Sequence, residues 1–296
     1  MTAERRDGVL CAVDLGDATD LVLRHAHEVA EREGRHLDVL FVLAGDSVGG
    51  HNILPLEQVP YSDLPALQRN ALDALQARFA SAVGRAAAGA RFSVETGVPY
   101  AVIVEQAESR RASLVVVGAH GESGVRRLAL GSVSERVVRY APCPVRVVRE
   151  TPASRHVLAA TDFSEPAGRA VKAAAEEARR VGGRLTVLHS LEIASVFAAP
   201  LPGTLVVPPM TSEHRARAIA DAHSRLSEAV RGLDVEVEPL VTDGDAARDV
   251  VQAADSLPAR LVVLGTVGRT GFSRLLLGSV AETVVRQAPC PVLVVR

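Results

Sequence analysis

The sequence predicts an α/β protein made of two tandem, doubly wound domains, each built on a five-stranded parallel sheet. Two observations predict this fold. The chain repeats itself at a nearly constant distance, and within each repeat short valine- and leucine-rich runs alternate with segments of helical periodicity. The length of 296 residues suits two domains of ordinary size.

The repeat is clearest in the last part of each copy. The segment that starts at Leu114 reads LVVVGAHGESGVRRLALGSVSERVVRYAPCPVRVV, and the segment that starts at Leu261 reads LVVLGTVGRTGFSRLLLGSVAETVVRQAPCPVLVV. Matching residues lie 147 positions apart here and 148 positions apart at the start of each copy, where Asp14 corresponds to Asp162. The chain is therefore a duplication.

A short polar linker at 150–154 divides the chain into domain 1 (1–150) and domain 2 (151–296). Apolar or alternating runs predict the strands of domain 1, which are 8–14, 37–43, 91–96, 114–118 and 144–149. Helical spacing and alanine-rich composition predict its helices, which are 18–33, 65–88, 99–111 and 131–141. The first of these helices ends at Gly34, a residue typical of helix C-termini.

Domain 2 repeats the same alternation. Its predicted strands are 155–161, 184–190, 234–241, 261–265 and 291–296, and its predicted helices are 164–181, 211–231, 246–256 and 278–288. Continuous Val/Leu runs between helices are typical of parallel strands that are covered on both faces. With right-handed crossovers we expect the strand order 3-2-1-4-5 in each domain.

Composition argues against two classes of partner. The net charge of −2 leaves no basic excess for general nucleic-acid binding. No stretch approaches the roughly 18–20 apolar residues of a membrane span. We therefore expect neither nucleic acid nor membrane as a partner, and a cytoplasmic location.

The cysteines and the single lysine limit the kinds of metal, disulfide and phosphate site that the sequence predicts. The three cysteines have neither a metal-binding spacing nor an even number for disulfides, and Cys143 and Cys290 share an Ala-Pro-Cys-Pro context that predicts buried thiols. Lys172 is the only lysine, so no Walker-type loop exists. Any phosphate site must use backbone amides, hydroxyl groups and a metal ion.

Two features of each copy converge on one crevice. The first strand ends in an aspartate, Asp14 or Asp162, and the fourth ends in a glycine, Gly118 or Gly265. Ligands of open parallel sheets bind at the carboxyl ends of strands, where the strand order reverses. With the expected order, that position lies between the first and fourth strands.

A glycine-rich segment follows the fourth strand. The same spacing, Gly-x2-Gly-x9-Gly-Ser, gives Gly118, Gly121, Gly131 and Ser132 in domain 1 and Gly265, Gly268, Gly278 and Ser279 in domain 2. Glycines permit positive φ and a close approach of a phosphate, and the final Gly-Ser opens a helix whose N-terminus favours anions. Arginines add positive charge along the segment, at Arg126, Arg127, Arg269 and Arg274.

Plainer interpretations of these residues stay open. A Gly-Ser pair before a helix is commonly only an N-cap, and an aspartate at a strand end is commonly a turn residue. The two copies do not count as independent evidence, because a duplicated segment keeps the residue spacing of the original.

The glycine motif, followed by a helix and a Cys-Pro-Val-x-Val-Val strand, resembles the signature of ATP-binding universal stress proteins. The strand that ends in Thr-Asp-Phe-Ser (161–164) and the Val-Leu-His run at 187–189 carry the same resemblance, which covers essentially the whole chain, twice. It implies a sheet of order 3-2-1-4-5, of the adenine-nucleotide alpha hydrolase-like type. It also implies ATP as ligand, with Mg²⁺ bound through the phosphates.

The resemblance further implies roles for individual residues. Asp14 and Asp162 would contact the adenosine portion, and the backbone of Val42 and Ser190, just past the second strand, would meet the adenine. The motif glycines and serines would line the triphosphate, namely Gly118, Gly121, Gly131, Ser132, Gly265, Gly268, Gly278 and Ser279. Domain 2 follows the family pattern more closely, because domain 1 has Phe41 where domain 2 has His189.

Three functions are considered. The leading hypothesis is a nucleotide-dependent stress or dormancy regulator, with the dissimilar segments 44–64 and 191–210 as either a cover for the nucleotide, a surface for an unidentified protein partner, or plain loops. The second is a slow ATP hydrolase or nucleotidyl-handling enzyme that uses His120, although Val267 stands at the matching position. A weak ATPase is the most that this pattern indicates.

The third hypothesis is a nucleotide-free scaffold, against which the intact glycines argue. The last strands, 144–149 and 291–296, are apolar edges that would otherwise be exposed. We therefore expect the two domains to pack as a pseudo-twofold pair through them, and a homodimer of the chain is a further expectation.

Overall fold

The computed structural model describes residues 7–44, 63–84, 89–119, 130–191, 211–266 and 277–296. The chain divides into two compact units, Met1–Glu150 and Thr151–Arg296. Among the described residues, no helix has the length and apolar character needed to cross a membrane.

The first unit alternates strand and helix along its whole length. Its strands are β1 (Gly8–Val13), β2 (His36–Leu43), β3 (Ala90–Thr96), β4 (Ala112–Gly118) and β5 (Val145–Val148). Its helices are α1 (Thr19–Glu33), α2 (Leu64–Val83), α3 (Pro99–Ser109) and α4 (Ser132–Tyr140). The strands pair in parallel in the order β3-β2-β1-β4-β5.

The second unit repeats this plan. Its strands are β6 (Val157–Ala160), β7 (Leu185–Ser190), β8 (Val237–Thr242), β9 (Leu261–Gly265) and β10 (Val292–Val295). Its helices are α5 (Glu165–Arg180), α6 (Ser212–Ala229), α7 (Ala246–Ser256) and α8 (Ser279–Gln287). The order β8-β7-β6-β9-β10 is again parallel. The predicted α/β class and the 3-2-1-4-5 strand order are therefore confirmed in both units.

Helix ends follow local backbone chemistry. Gly34 adopts a left-handed φ of 62° after α1, and the N–H of Arg35 donates to the carbonyl of Ala30. Helix α2 ends at Val83, earlier than the predicted residue 88, because Gly84 takes a left-handed φ of 70°. Residues 85–88 lie outside the described part of the chain.

The core of each unit lies between the sheet and its helices. Val9, Cys11 and Val39 in the first unit are fully buried. The prediction of buried thiols at Cys143 and Cys290 is confirmed, and all three cysteines are buried and outside any disulfide. Covered on both faces, each sheet offers ligands only the ends of its strands.

Candidate functional site

The first and fourth strands of each unit are neighbours and end at the same edge of the sheet. In the first unit, β1 pairs with β4 so that Ala12 lies opposite Val117, which brings Asp14 and Gly118 to adjacent strand ends. In the second unit, β6 pairs with β9 in the same way, which brings Asp162 beside Gly265. Both units therefore bring the predicted aspartate and the predicted first glycine together at the point where the strand order reverses.

Each aspartate shapes a tight turn. The Oδ1 atom of Asp14 accepts a hydrogen bond from the N–H of Gly16 at 3.0 Å, and Oδ1 of Asp162 accepts one from the N–H of Ser164 at 3.0 Å. The interpretation of these aspartates as turn residues is therefore correct for one carboxylate oxygen of each. The residue inside each turn, Leu15 or Phe163, is left-handed with φ of 62° or 65°. Such strain in a non-glycine residue clusters at functional sites.

The two ends of each glycine-rich segment are joined. The N–H of Gly131 donates to the carbonyl of Ala119 at 2.8 Å, and the N–H of Gly278 donates to the carbonyl of Thr266 at 2.7 Å. In the first unit, the Ser134 hydroxyl adds a bond to the carbonyl of Gly118 at 2.6 Å. Helices α4 and α8 therefore start beside the carboxyl ends of β4 and β9.

Part of each segment lies outside the described residues. This part includes Gly121, Gly268, His120 and the four arginines Arg126, Arg127, Arg269 and Arg274.

The glycines that open α4 and α8 differ from expectation. Gly131 (φ −64°, ψ 144°) and Gly278 (φ −64°, ψ 151°) are N-caps in an extended conformation that any residue adopts, so positive φ is not the reason for glycine there. The N-cap residues are the glycines themselves, so of the Gly-Ser pair the glycine, and not the hydroxyl of Ser132 or Ser279, stands at the capping position. Both serines are exposed first residues of their helices. The N–H groups of such a first turn have no intrahelical acceptor, which leaves them able to donate to an anion.

The glycine that ends β9 has a packing role. A Cβ atom built on Gly265 would lie 3.2 Å from the carbonyl carbon of Pro166 and 3.4 Å from the nitrogen of Ala167, in the first turn of α5. The absence of a side chain at Gly265 therefore permits close contact between helix and strand. Access for a phosphate need not explain this glycine.

The predicted adenine contacts belong to strands. Val42 is paired with Glu95 inside β2, and Ser190 is the last residue of β7, so neither lies past the strand end as expected. Val42 pairs with Glu95 of β3 and Ser190 pairs with Thr242 of β8, so both residues still take part in the sheet. The Ser190 hydroxyl lies 3.0 Å from both the Gly244 carbonyl and Oδ2 of Asp249, which connects β7 to the turn before α7.

Sequence analysis missed one residue of this region in each unit. Arg78 in α2 and Arg225 in α6 are 147 positions apart, the same offset that relates the glycine motifs. Nη2 of Arg78 lies 3.4 Å from the Gly16 carbonyl, and its Nε pairs with Asp20. The guanidinium carbon of Arg225 lies 4.3 Å from the centroid of the Phe163 ring. The repeat offset is the signal that could have found this pair.

The second unit adds a histidine at this edge. Nδ1 of His189 lies 2.8 Å from the Thr161 carbonyl, which can only accept, so Nδ1 carries the proton and Nε2 of the neutral ring is an acceptor. The ring centroid lies 4.3 Å from that of Phe163. Phe41 replaces this histidine in the first unit, so the two sites differ in polarity.

The charged groups that the structure describes at this edge do not form a ready metal cage. No group of three or more His, Cys, Asp or Glu side chains that could hold a metal ion exists among the residues searched, which are the described ones. At this edge, Asp14 and Asp162 each use one carboxylate oxygen to accept a hydrogen bond within a turn. The arrangement suits an anion that approaches the start of α4 or α8.

Known proteins of similar sequence are universal stress proteins. Universal stress protein Rv2005c of Mycobacterium tuberculosis is 34% identical over 194 residues, which cover 64% of this chain and 63% of the relative. Universal stress protein Rv2623 of the same organism is 33% identical over 194 residues, with the same coverage of 64% and 63%. The match spans less than two thirds of either relative's length.

Solved structures agree on the fold. A universal stress protein from Archaeoglobus fulgidus DSM 4304 has a TM-score of 0.66 at 21% identity, covering 99% of this chain and 97% of its own. A universal stress protein in complex with cAMP and one from Archaeoglobus fulgidus in complex with dAMP reach TM-scores of only 0.34 and 0.32 over 49% and 47% of this chain. The ligands cAMP and dAMP belong to those two proteins.

The profile of the Universal stress protein family matches residues 6–149 and, a second time, residues 153–296. Together the two matches account for nearly the whole chain and correspond to its two structural units. The chain therefore belongs to the universal stress protein family, as a tandem member with two family domains.

Proposed function

We propose that this chain binds ATP with Mg²⁺, one nucleotide in each of the domains 1–150 and 151–296, and that occupancy regulates a protein partner. The observation that carries the proposal is the closure of both glycine-rich segments by Gly131 to Ala119 and by Gly278 to Thr266. This closure sets the N-terminus of a helix beside the strand-end aspartate in both units. Family membership adds support.

The residues present fit an adenine nucleotide. The first-turn amides of α4 and α8 suit phosphate oxygens, and Asp14 and Asp162 offer a carboxylate to hydroxyl groups of a ribose. Gly118, Ser132, Gly265 and Ser279 would frame the same crevice, Val42 lies one residue before the end of the neighbouring strand β2, and Ser190 is the last residue of β7. Magnesium would be held through phosphate oxygens, whose charge it would neutralise.

Regulation follows from differential affinity. A ligand moves a conformational equilibrium only as far as its affinities for the two states differ. The left-handed turns at Leu15 and Phe163 are elements that a nucleotide beside Asp14 or Asp162 would stabilise. A partner that senses these turns would then respond to occupancy.

The first test is direct. We expect mass spectrometry under non-denaturing conditions to detect an adenine nucleotide that co-purifies with the full chain. Calorimetric titration of nucleotide-free protein with Mg-ATP should give two sites per chain. A stoichiometry near zero would overturn the proposal.

Paired variants assign the sites. Asp14→Asn and Asp162→Asn remove the negative charge but keep an Oδ1 atom that can accept the turn bond, so the fold should be preserved. Each should weaken Mg-ATP binding at its own site by roughly tenfold or more, the scale of a charge-assisted hydrogen bond. Asp234→Asn is the control, because the Asp234 side chain is 92% exposed. Unchanged affinity in the double variant would exclude the proposed role of the aspartates.

A further inference from the structure

Two tyrosines and an arginine form a cluster on the surface of the first unit, where the start of α3 meets the end of α4. The ring centroids of Tyr100 and Tyr140 lie 6.1 Å apart at an interplanar angle of 39°. The guanidinium carbon of Arg136 lies 4.9 Å from the centroid of the Tyr100 ring. Val98, two residues before Tyr100, is the N-cap of α3. We call Val98, Tyr100, Arg136 and Tyr140 the tyrosine patch.

The tyrosine patch presents apolar surface to the solvent. Val98 is 56% exposed and Tyr140 is 44% exposed, and Arg136 is exposed beside them. In the part of the chain that the structure describes, Leu67 of α2 is the one other large apolar residue in the exposed class. Single exposed apolar residues are ordinary, but tyrosine and arginine grouped together are typical of the centre of a protein–protein interface.

The second unit builds the same pair of helices without these side chains. At the repeat offset of 147, the residues that correspond to the tyrosine patch are Asp245, Ala247, Thr283 and Gln287. Ala247, at the position of Tyr100, is 6% exposed, so no aromatic ring extends from the helix there. Because α7 and α8 pack without aromatic residues at these positions, the fold itself does not require the tyrosine patch.

The charges around the tyrosine patch are separated between its two helices. The charged residues of α3 are Glu105 and Glu108, both exposed. Neither carboxylate is in an ion pair with another described residue, and the same is true of the Arg136 guanidinium on α4. The other two charged residues of α4, Glu135 and Arg139, pair with each other at 3.8 Å. Helix α3 therefore carries uncompensated negative charge and α4 carries uncompensated positive charge.

Other helices of the chain neutralise such charges internally. Ion pairs one helical turn apart join Glu28 to Arg32, Glu165 to Arg169 and Glu213 to Arg217. The charges on α3 and α4 are left to interact with a surface that has the opposite arrangement. A second copy of the same surface, turned by a twofold rotation, has that arrangement, because each α3 then faces an α4.

We propose that the tyrosine patch binds a second copy of this chain, in a twofold homodimer that sets α3 of each protomer against α4 of the other. Tyr100 and Tyr140 form the centre of this interface, and Glu105 and Glu108 face Arg136 of the partner subunit at its rim. Sequence analysis expected a homodimer but gave it no surface. The proposal does not depend on nucleotide binding.

The size of the surface sets the expected strength. Helix α3 has 11 residues and α4 has 9, so they are about 16 and 14 Å long. Two helices of this length offer less than the roughly 800 Å² that each partner buries in a standard interface. We therefore expect a dimer that dissociates on dilution and that weakens as the salt concentration rises, because charges at a rim are screened.

The first test is analytical ultracentrifugation of the full chain, free of nucleotide, over a wide range of protein concentration. We expect a reversible equilibrium between monomer and dimer. The double variant Tyr100→Ala, Tyr140→Ala should raise the dissociation constant of the dimer at least about tenfold, the scale of a lost aromatic hot spot. Urea unfolding of this variant verifies that it is folded.

Charge exchange tests the arrangement of the two helices and keeps both tyrosines. Glu105→Arg makes both helices positive at the interface, and Arg136→Glu makes both negative. Each variant alone should be monomeric, because like charges then meet across the twofold axis. An equimolar mixture of the two variants should form a heterodimer, since each α3 then faces an α4 of opposite charge.

Two substitutions outside the tyrosine patch are the controls. Leu67→Ala removes an exposed apolar side chain from α2, and Gln287→Ala changes the exposed residue that corresponds to Tyr140 in the second unit. Both should leave the dissociation constant unchanged. A parent protein that stays monomeric at every concentration would overturn the proposal and leave the patch to a different protein. So would a parent dimer combined with no heterodimer in the mixture, which would assign the dimer to another surface.

Discussion

The guanidinium of Arg225 lies over the ring of Phe163, the left-handed residue that follows Asp162. Its counterpart Arg78 pairs instead with Asp20 and reaches the Gly16 carbonyl. Gly168 stands at the position that corresponds to Asp20. Without that carboxylate, Arg225 contacts the turn through the aromatic face. The same helix position thus supports the strand-end turn in both units by different chemistry.

We predict that Arg225→Ala weakens Mg-ATP binding in the second unit by roughly two- to fivefold, the range of an exposed cation–π contact. The change releases Phe163 and with it the turn that orients Asp162. Calorimetric titration measures the effect. Arg217→Ala on the same helix is the matched control, because the Arg217 side chain is 71% exposed and pairs with Glu213. Equal affinities in the two variants would contradict a supporting role for Arg225.

Two glycine-to-alanine changes should have opposite effects on stability. Gly34→Ala forces a side chain into a left-handed φ of 62° and should lower the unfolding free energy by about 1–2 kcal/mol. Gly168→Ala lies within α5 with open space around its Cβ position, and should raise the unfolding free energy by about 0.5–1 kcal/mol. Urea unfolding measures both. The same sign for both changes would refute this explanation of Gly34.

The unfolding free energy should decrease as the pH is lowered, because of His156. Burial lowers the pKa of His156 below 6.5, the nearby Arg184 lowers it further, and Glu238 acts in the opposite direction. Because the unfolded state then binds the proton more readily, the contribution of the neutral ring is complete above pH 6.5 and is lost as the pH falls toward the folded-state pKa.

Urea unfolding in phosphate-free buffer at several pH values measures this effect. The difference in unfolding free energy between the parent and His156→Gln should shrink as the pH falls below 6.5, the ordinary pKa of a histidine. His223→Gln, at an exposed histidine of α6, should keep the parental pH dependence. A parental dependence in His156→Gln as well would assign the effect to other groups.

The thiols should be inert in the folded chain. Burial raises the pKa of Cys11 to about 12, and Cys143 and Cys290 are buried too. Since the thiolate is the reactive form, we expect labelling by a thiol reagent to require unfolding. Absorbance at the released chromophore should increase at the rate of unfolding and reach three equivalents only in denaturant. Immediate labelling of native protein would contradict the buried environment.

Local and periodic features of the sequence were sufficient for the fold. The valine-rich runs 114–118 and 261–265 became β4 and β9, and Gly34 ended the first helix, because strand burial and helix termination depend on side chains within a few residues. Because the two halves are copies of each other, the same strand order was then expected in both. The same repeat held the signal for Arg78 and Arg225, which only the offset of 147 connects.

The determinants of the site were of a different kind. The contact of Gly265 with α5, the strand positions of Val42 and Ser190, and the seating of Arg225 over Phe163 join segments that are distant along the chain. So does the hydrogen bond between His156 and Thr186, which stands at the register position of Asp38. Sequence by itself determined the order of the strands and helices and the spacing of the glycine motifs, since these depend on neighbouring residues. Tertiary structure alone decided which side chains meet, because that depends on packing between strands and helices far apart in sequence.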